Sequence, residues 1–232
     1  GRAEVTEHSQ PPPHAPYRPA GAALKAAWAL ALLVAASAPL WASEYTLVIL
    51  TEMATLAVVA ASLHFFMSHG GITSFGHAAF FGLGAYGAAL AVKYAALPFA
   101  ASLLLGPLVA GVAALAAGWF VLRAQGVYAA MLTLAFAQIL WSVATQWVAV
   151  TGGDNGILGL WPPAALSGKA AYYGLTLLLA VASLWLARRA AMAPFGYSLR
   201  AARDAPARAE ASGIDTGGVL WAAFAAGGLF AG

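Results

Sequence analysis

RRAAMAPFGYSLRAARDAPARAEASGIDTGG, residues 188–218, lies between two apolar runs, 171–187 before it and 219–232 after it. Five of the chain's eleven basic residues stand here: Arg188, Arg189, Arg200, Arg203 and Arg208. A basic loop between long apolar runs marks the cytoplasmic side of a membrane chain. It is also where a soluble partner finds purchase. Read this way, the stretch makes the fold all-α: a polytopic membrane helical bundle, with 188–218 as its cytoplasmic loop.

The composition agrees. Of the 232 residues, 62% are hydrophobic and 8% charged, where an ordinary globular domain has about 25% charged. Mean hydropathy is +0.80. A soluble α/β core is excluded by run length, because buried strands need about 4–8 residues and these runs last roughly 20. The absence of Cys removes disulfides, thiolate metal sites and a Cys nucleophile. The net charge of +3 follows from the placement of arginines and calls for no nucleic acid.

Residues 1–21 are polar and Pro-rich (Pro11, Pro12, Pro13, Pro16, Pro19), a composition expected of a disordered cytoplasmic tail. Residues 22–232 form the expected transmembrane domain, with candidate spans at 24–41, 45–67, 74–97, 99–122, 127–148 and 171–187. A seventh begins near Val219. The chain starts with Gly and stops inside an apolar run, which reads as a truncated bundle. With the N-terminus inside, Arg2, Arg18, Lys25, Arg123 and the five loop arginines all fall on the cytoplasmic side. Lys93 and Lys169 fall outside. Trp28, Trp41, Trp119, Trp147, Trp161, Trp185 and Trp221 stand near span ends, and Trp141 within one.

Several polar residues interrupt the apolar runs. Thr73 or Ser74 is placed to cap the third span. Past that point His77, Phe81, Gly84 and Ala88 share a face, where the small residues admit a close neighbour. His77 has two readings, a satisfied packing group or the lining of a solute path. Glu52, about two turns into the second span, either meets a solute or proton or is a structural carboxylate. Thr133 and Gln138 in the fifth span either bond across helices or line a path. Thr151-Gly152-Gly153-Asp154-Asn155-Gly156 forms a tight bend, as an ordered connection or as a docking or exit surface. His64 and His69 have no carboxylate or thiol converging on them, so no metal site is expected. Gly70-Gly71 is not followed by the Lys-Ser/Thr of a phosphate cradle.

Within the basic loop, Leu199, Ala202, Ala205 and Ala209 recur at near-helical spacing, away from Arg200, Arg203, Asp204, Arg208 and Glu210. Asp204 is expected to cap a short helix ending at Gly213 and to pair with Arg208 at i,i+4. Its alanine face would dock into a partner's cleft or lie on anionic lipid.

Four segments together carry a resemblance. They are GITSFGHAAFFGLGAY (71–86), RAQGVYAAMLTLAFAQ (123–138), TGGDNGI (151–157), and FGYSLRAARD (195–204) running on to AEASGI (209–214). In this order the chain resembles the permease subunits of bacterial ATP-binding-cassette importers for branched-chain amino acids, and more narrowly the larger of the two. The resemblance implies an inner-membrane, multi-pass subunit pairing with a second permease, two cytoplasmic ATP-binding subunits and a periplasmic solute-binding protein. ATP would be used by those ATPases, with no cofactor in this subunit. Ala209–Gly213 matches the coupling loop, so Glu210 and Gly213, with Arg203, Asp204 and Arg208, are its expected coupling residues. Gly76, His77 and Thr151–Gly153 match recurrent family positions. The family carries further spans after this loop, Pro206 departs from a continuous helix, and His69 replaces a small or aromatic residue. An ion-coupled secondary carrier of small solutes, using Glu52 and His77, is the alternative reading. A membrane enzyme lacks a convergent nucleophile and base.

Overall fold

The computed structural model describes residues 22–124 and 126–232; the expected tail, 1–21, lies outside them. The described chain is helical throughout: α1 (Ala22–Trp41), α2 (Glu44–Gly70), α3 (His77–Ala95), α4 (Phe99–Val121), α5 (Val127–Gln146), α6 (Val148–Thr151), α7 (Lys169–Met192), α8 (Pro194–Asp204), α9 (Pro206–Ala211) and α10 (Thr216–Ala231). Five of these, α2, α3, α4, α5 and α7, are long and apolar enough to cross a membrane. The described chain divides into two units, one ending at Trp41 and the other Ala42–Gly232. In the first, α1 carries Pro39 in its last turn, and the Trp41 indole donates to Ser37 Oγ at 3.3 Å.

Local chemistry sets most helix ends in the second unit. Ser43 Oγ accepts from Thr46 N at 3.3 Å and starts α2. Gly71, at φ +69°, closes it in the left-handed conformation. Pro194 and Pro206 occupy the first positions of α8 and α9, where a missing N–H costs nothing. Asp215 Oδ1 accepts from Gly218 N at 3.0 Å and starts α10.

Two expected boundaries are corrected. The third span begins at His77, and neither Thr73 nor Ser74 caps it: Gly76 holds the cap position with no side-chain bond. The reason is tertiary. Phe75 N donates to Thr133 Oγ1 of α5 at 3.1 Å, so the 71–76 segment is drawn across to a neighbour and does not coil. The sixth span is longer than its apolar run: α7 takes in Lys169 at one end and Arg188–Met192 at the other. At ~1.5 Å per residue this makes it a full span, with charged residues only toward its ends.

The core follows from small residues. On α4, Ser102, Gly106, Ala110, Ala114, Ala117 and Val121 are buried, at spacings of three or four that make one continuous stripe. That stripe meets α3 on one side and α10 on the other. The approach is close enough that a Cβ on Gly118 would sit 3.1 Å from the Phe224 ring. Lipid tails provide no hydrophobic drive between helices, so tight van der Waals contact of this kind holds the bundle. Phe66, Phe80 and Phe224 fill the wider gap, with Phe66 and Phe224 edge to face at 4.8 Å between ring centres. α2 packs against both α7 and α10. Large apolar side chains elsewhere, such as Leu33, Leu104, Val112, Trp141 and Leu178, point outward, as lipid-facing residues do.

Helix directions sort the charges of the second unit by end. At one end, Lys169 Nζ pairs with Glu44 Oε2 at 2.9 Å, and Tyr94 next to Lys93 donates to Ala149 O at 3.3 Å. At the far end, Arg123 follows α4, Arg188 and Arg189 lie in the last turns of α7, and Arg200, Arg203 and Arg208 come after it.

Candidate functional sites

The arginine-bearing end is built from short helices clamped onto long ones. Gly196 makes the corner between α7 and α8, and a Cβ there would strike the Ala191 and Ala190 carbonyls. Arg200 reinforces the corner, donating to Ala191 O at 3.0 Å and Gly196 O at 3.1 Å. Leu199 is 0% exposed and packs with Phe65 and Ala223, flanked by Ala190, Phe195 and Leu220. Arg203 reaches the end of α2, where its guanidinium donates to Ser68 O. A cation suits the negative end of a helix dipole. Asp204 Oδ1 accepts from Arg203 Nε at 2.7 Å, and this bond raises the pKa of the guanidinium above its ordinary value. Gly71 has no side chain because the stem of Arg203 runs over it.

Two expectations for this element are therefore corrected. Asp204 ends α8 and does not cap the helix after it, where Ala205 occupies the cap position with no side-chain bond; its Oδ1 also accepts from Arg203 Nε. The chain breaks there because Pro206 cannot supply the N–H that would continue α8. The alanine face is covered by this chain itself, with Leu199, Ala202 and Ala209 buried and Ala205 half-buried. Exposed instead are Arg203, Asp204, Arg208 and Glu210. Gly213, at φ +83°, ends α9 while Ile214 N donates back to Ala209 O at 3.0 Å. Glu210 accepts from Thr216 Oγ1 at 2.7 Å, which ties α9 to α10.

Inside the bundle His77 is 4% exposed, with Nε2 2.7 Å from Ser62 Oγ. The Ser62 proton goes to Val59 O at 2.7 Å, so His77 Nε2–H is the donor. Phe66 stacks on the imidazole and Phe80 meets it edge-on. Phe80, rather than Phe81, shares the buried face with His77 and Gly84, while Ala88 is half-buried. Gly76 lies on the α5 backbone at Thr133. Thr133 is buried, donating to Ala130 O at 2.7 Å while it accepts from Phe75. Gln138, on another face of α5, is exposed. Glu52 lies elsewhere again, on a cavity of about 720 Å³ lined by α2, the 160–167 loop and α7. Glu52, His77, Thr133 and Gln138 are thus not brought to one place.

At that end Thr151 ties a knot. Its hydroxyl is 2.7 Å from Ala144 O and 2.8 Å from Trp147 O, and accepts from Gly153 N at 3.3 Å. Gly152 and Gly153 take positive φ, and a Cβ on Gly152 would strike Gly156 O. Asn155 is exposed. Sequence reasoning missed Ser62, Gly71 and Gly196. Of these, Gly196 had a readable signal, since Pro194 starts a helix directly after a long apolar one.

The family described as branched-chain amino acid transport system, permease component, matches residues 45–232. The high-affinity branched-chain amino acid transport system permease protein LivM of Escherichia coli (strain K12) is 28% identical over 88% of this chain and 54% of its own length. LivM of Salmonella typhimurium (strain LT2) is likewise 28% identical, with the same coverage. The chain spans about half the length of these curated relatives. No solved structure matches it significantly. With a five-span helical bundle matched from the start of α2 through residue 232, the protein belongs to the branched-chain amino acid transport permease family.

Proposed function

We propose that the chain is a permease subunit of an ATP-driven importer for branched-chain or similar hydrophobic amino acids. The observation that carries this reading is the exposed charged face of α8 and α9, clamped at three points. Leu199 sits under α2 and α10, Arg203 lies on the end of α2, and Glu210 holds Thr216 of α10. Force applied to α9 would reach α2, α7 and α10 without being lost in a flexible loop. Arg203, Asp204, Arg208, Glu210 and Gly213 are the proposed coupling set. The arginine-bearing end is the proposed cytoplasmic face by the positive-inside rule, with 188–218 as its coupling loop. The protein would act in the inner membrane with the N-terminus inside. Hydrolysis belongs to two separate ATP-binding subunits; a second permease completes the path, and a solute-binding protein delivers to the opposite face. This subunit contributes conformational coupling rather than covalent chemistry.

The test is Glu210→Arg in the assembled importer, scored for co-purification of the ATP-binding subunits and for uptake per ATP hydrolysed. Loss of docking, or hydrolysis without uptake, is expected. Full coupled uptake would remove Glu210 from the coupling set. Along α2, Glu52 and the His77 partner Ser62 are ten residues apart, about 15 Å. That separation disfavours a carrier in which Glu52 and His77 act as one coupling pair.

A further inference from the structure

We infer that the cavity beside Glu52 receives a free amino acid, with the Glu52 carboxylate taking its α-ammonium group. The inference rests on the importer reading above, and adds the place in this chain and the atoms that recognise the ligand. The cavity's volume, about 720 Å³, falls within the ~300–1,000 Å³ of small-molecule sites.

The lining separates into chemically distinct parts. Val48, Leu56, Phe81, Leu160 and Trp161 make an apolar wall. Thr51 and Thr55 also line the cavity, but their hydroxyl protons go to Leu47 O at 2.8 Å and Thr51 O at 3.0 Å. Ser167 likewise donates to Ala164 O at 2.8 Å. Their remaining capacity is as acceptors. Among the described residues Glu52, exposed on α2, has no ion pair or hydrogen bond, and the nearby Lys169 Nζ lies on Glu44. A carboxylate within a spanning helix is costly without a cation. An unpaired carboxylate among spent hydroxyls calls for a group with several N–H donors, and an ammonium has three. The Tyr172 hydroxyl lies one turn along α7 from Lys169, and Lys169, which spends one of its three N–H donors on Glu44, keeps two for the ligand's carboxylate. Its aliphatic side chain then lies on the apolar wall. The cavity is at the end away from the arginines, where the proposed solute-binding protein would release its cargo.

The chain has no cysteine, so a reporter thiol can be placed cleanly. Ser167→Cys, and separately Leu160→Cys, is introduced into the assembled importer. Maleimide labelling of this chain is then timed with L-leucine, or with 4-methylpentanoate, which keeps the side chain and carboxylate but lacks the ammonium. Leucine is expected to slow labelling at both positions, and 4-methylpentanoate to leave it unchanged. Adding Glu52→Gln should raise the half-protecting leucine concentration roughly tenfold, as loss of a charge-assisted bond does, with the second permease still bound. Equal protection by 4-methylpentanoate, or unchanged protection in Glu52→Gln, overturns the assignment. Loss of the second permease from Glu52→Gln also overturns it, because the cavity is then a subunit seam. Leucine uptake into vesicles is measured alongside. Normal uptake without protection sinks this inference alone; absence of uptake sinks the importer reading and the inference together.

Discussion

The two ends of the 42–232 unit handle their polar groups in opposite ways. At the arginine-bearing end, side-chain cations point back at the protein. Arg200 and Arg203 donate to carbonyls of α7, α8 and α2, and Arg123 lies 3.6 Å from the centre of the Trp119 ring. At the other end, Glu44 and Lys169 satisfy each other, and the Thr151 knot satisfies itself. Glu52 is left facing open space. A group bonded to a helix end moves with that helix, whereas a group left facing a cavity is available to whatever enters. The proposed roles follow this division: one end to carry force, the other to accept a guest.

Substitutions can break or sharpen this contrast. The largest effect is expected from Gly196→Ala, whose Cβ meets backbone that cannot yield. Lifting α8 from α2 should lower stability by about 2–4 kcal/mol and uptake by more than tenfold, read by thermal unfolding in detergent and by transport. His77→Ala removes a buried ring and its bond to Ser62; about 2–3 kcal/mol should be lost, with uptake falling only in step with folded protein. A collapse of uptake at unchanged stability would instead make His77 part of the path. Thr151→Val deletes the knot's hydroxyl and should cost about 1–2 kcal/mol, while Thr151→Ser restores most of it. If Thr151→Val uncoupled hydrolysis from uptake, the division between the ends would fail. Arg203→Ala, on the surface, should change stability by no more than about 1 kcal/mol, yet lower uptake per ATP several-fold. Asn155→Ala should stay within about 0.5 kcal/mol, so any loss of uptake in it would report on docking at that face.

The spans were legible because each rests on a run of apolar residues that needs no knowledge of its neighbours. The bend at Thr151–Gly156 and the stop at Gly213 were legible for a similar reason: glycine at positive φ leaves a local mark. What escaped depended on partners distant in sequence. Thr133 holds the 71–76 segment out of a helix from more than fifty residues away. The face of α3 was placed one residue off, at Phe81, because α10 selects Phe80 by packing Phe224 against it. The alanine face of 199–209 was visible as a pattern, but a pattern cannot say who covers it. Leu199 finds Phe65 and Ala223 of its own chain.

The amino-acid order alone determined that this is a helical membrane protein, where its apolar runs lie and which loop collects the arginines. These follow from local burial in lipid, where every backbone group must be satisfied within its own helix. Only the tertiary structure decided which polar groups were spent and which remained. His77 found Ser62, Arg203 found the end of α2, and Glu52 found no partner among the described residues. Such pairings are settled when helices far apart in the chain are packed together, at distances no local spacing encodes.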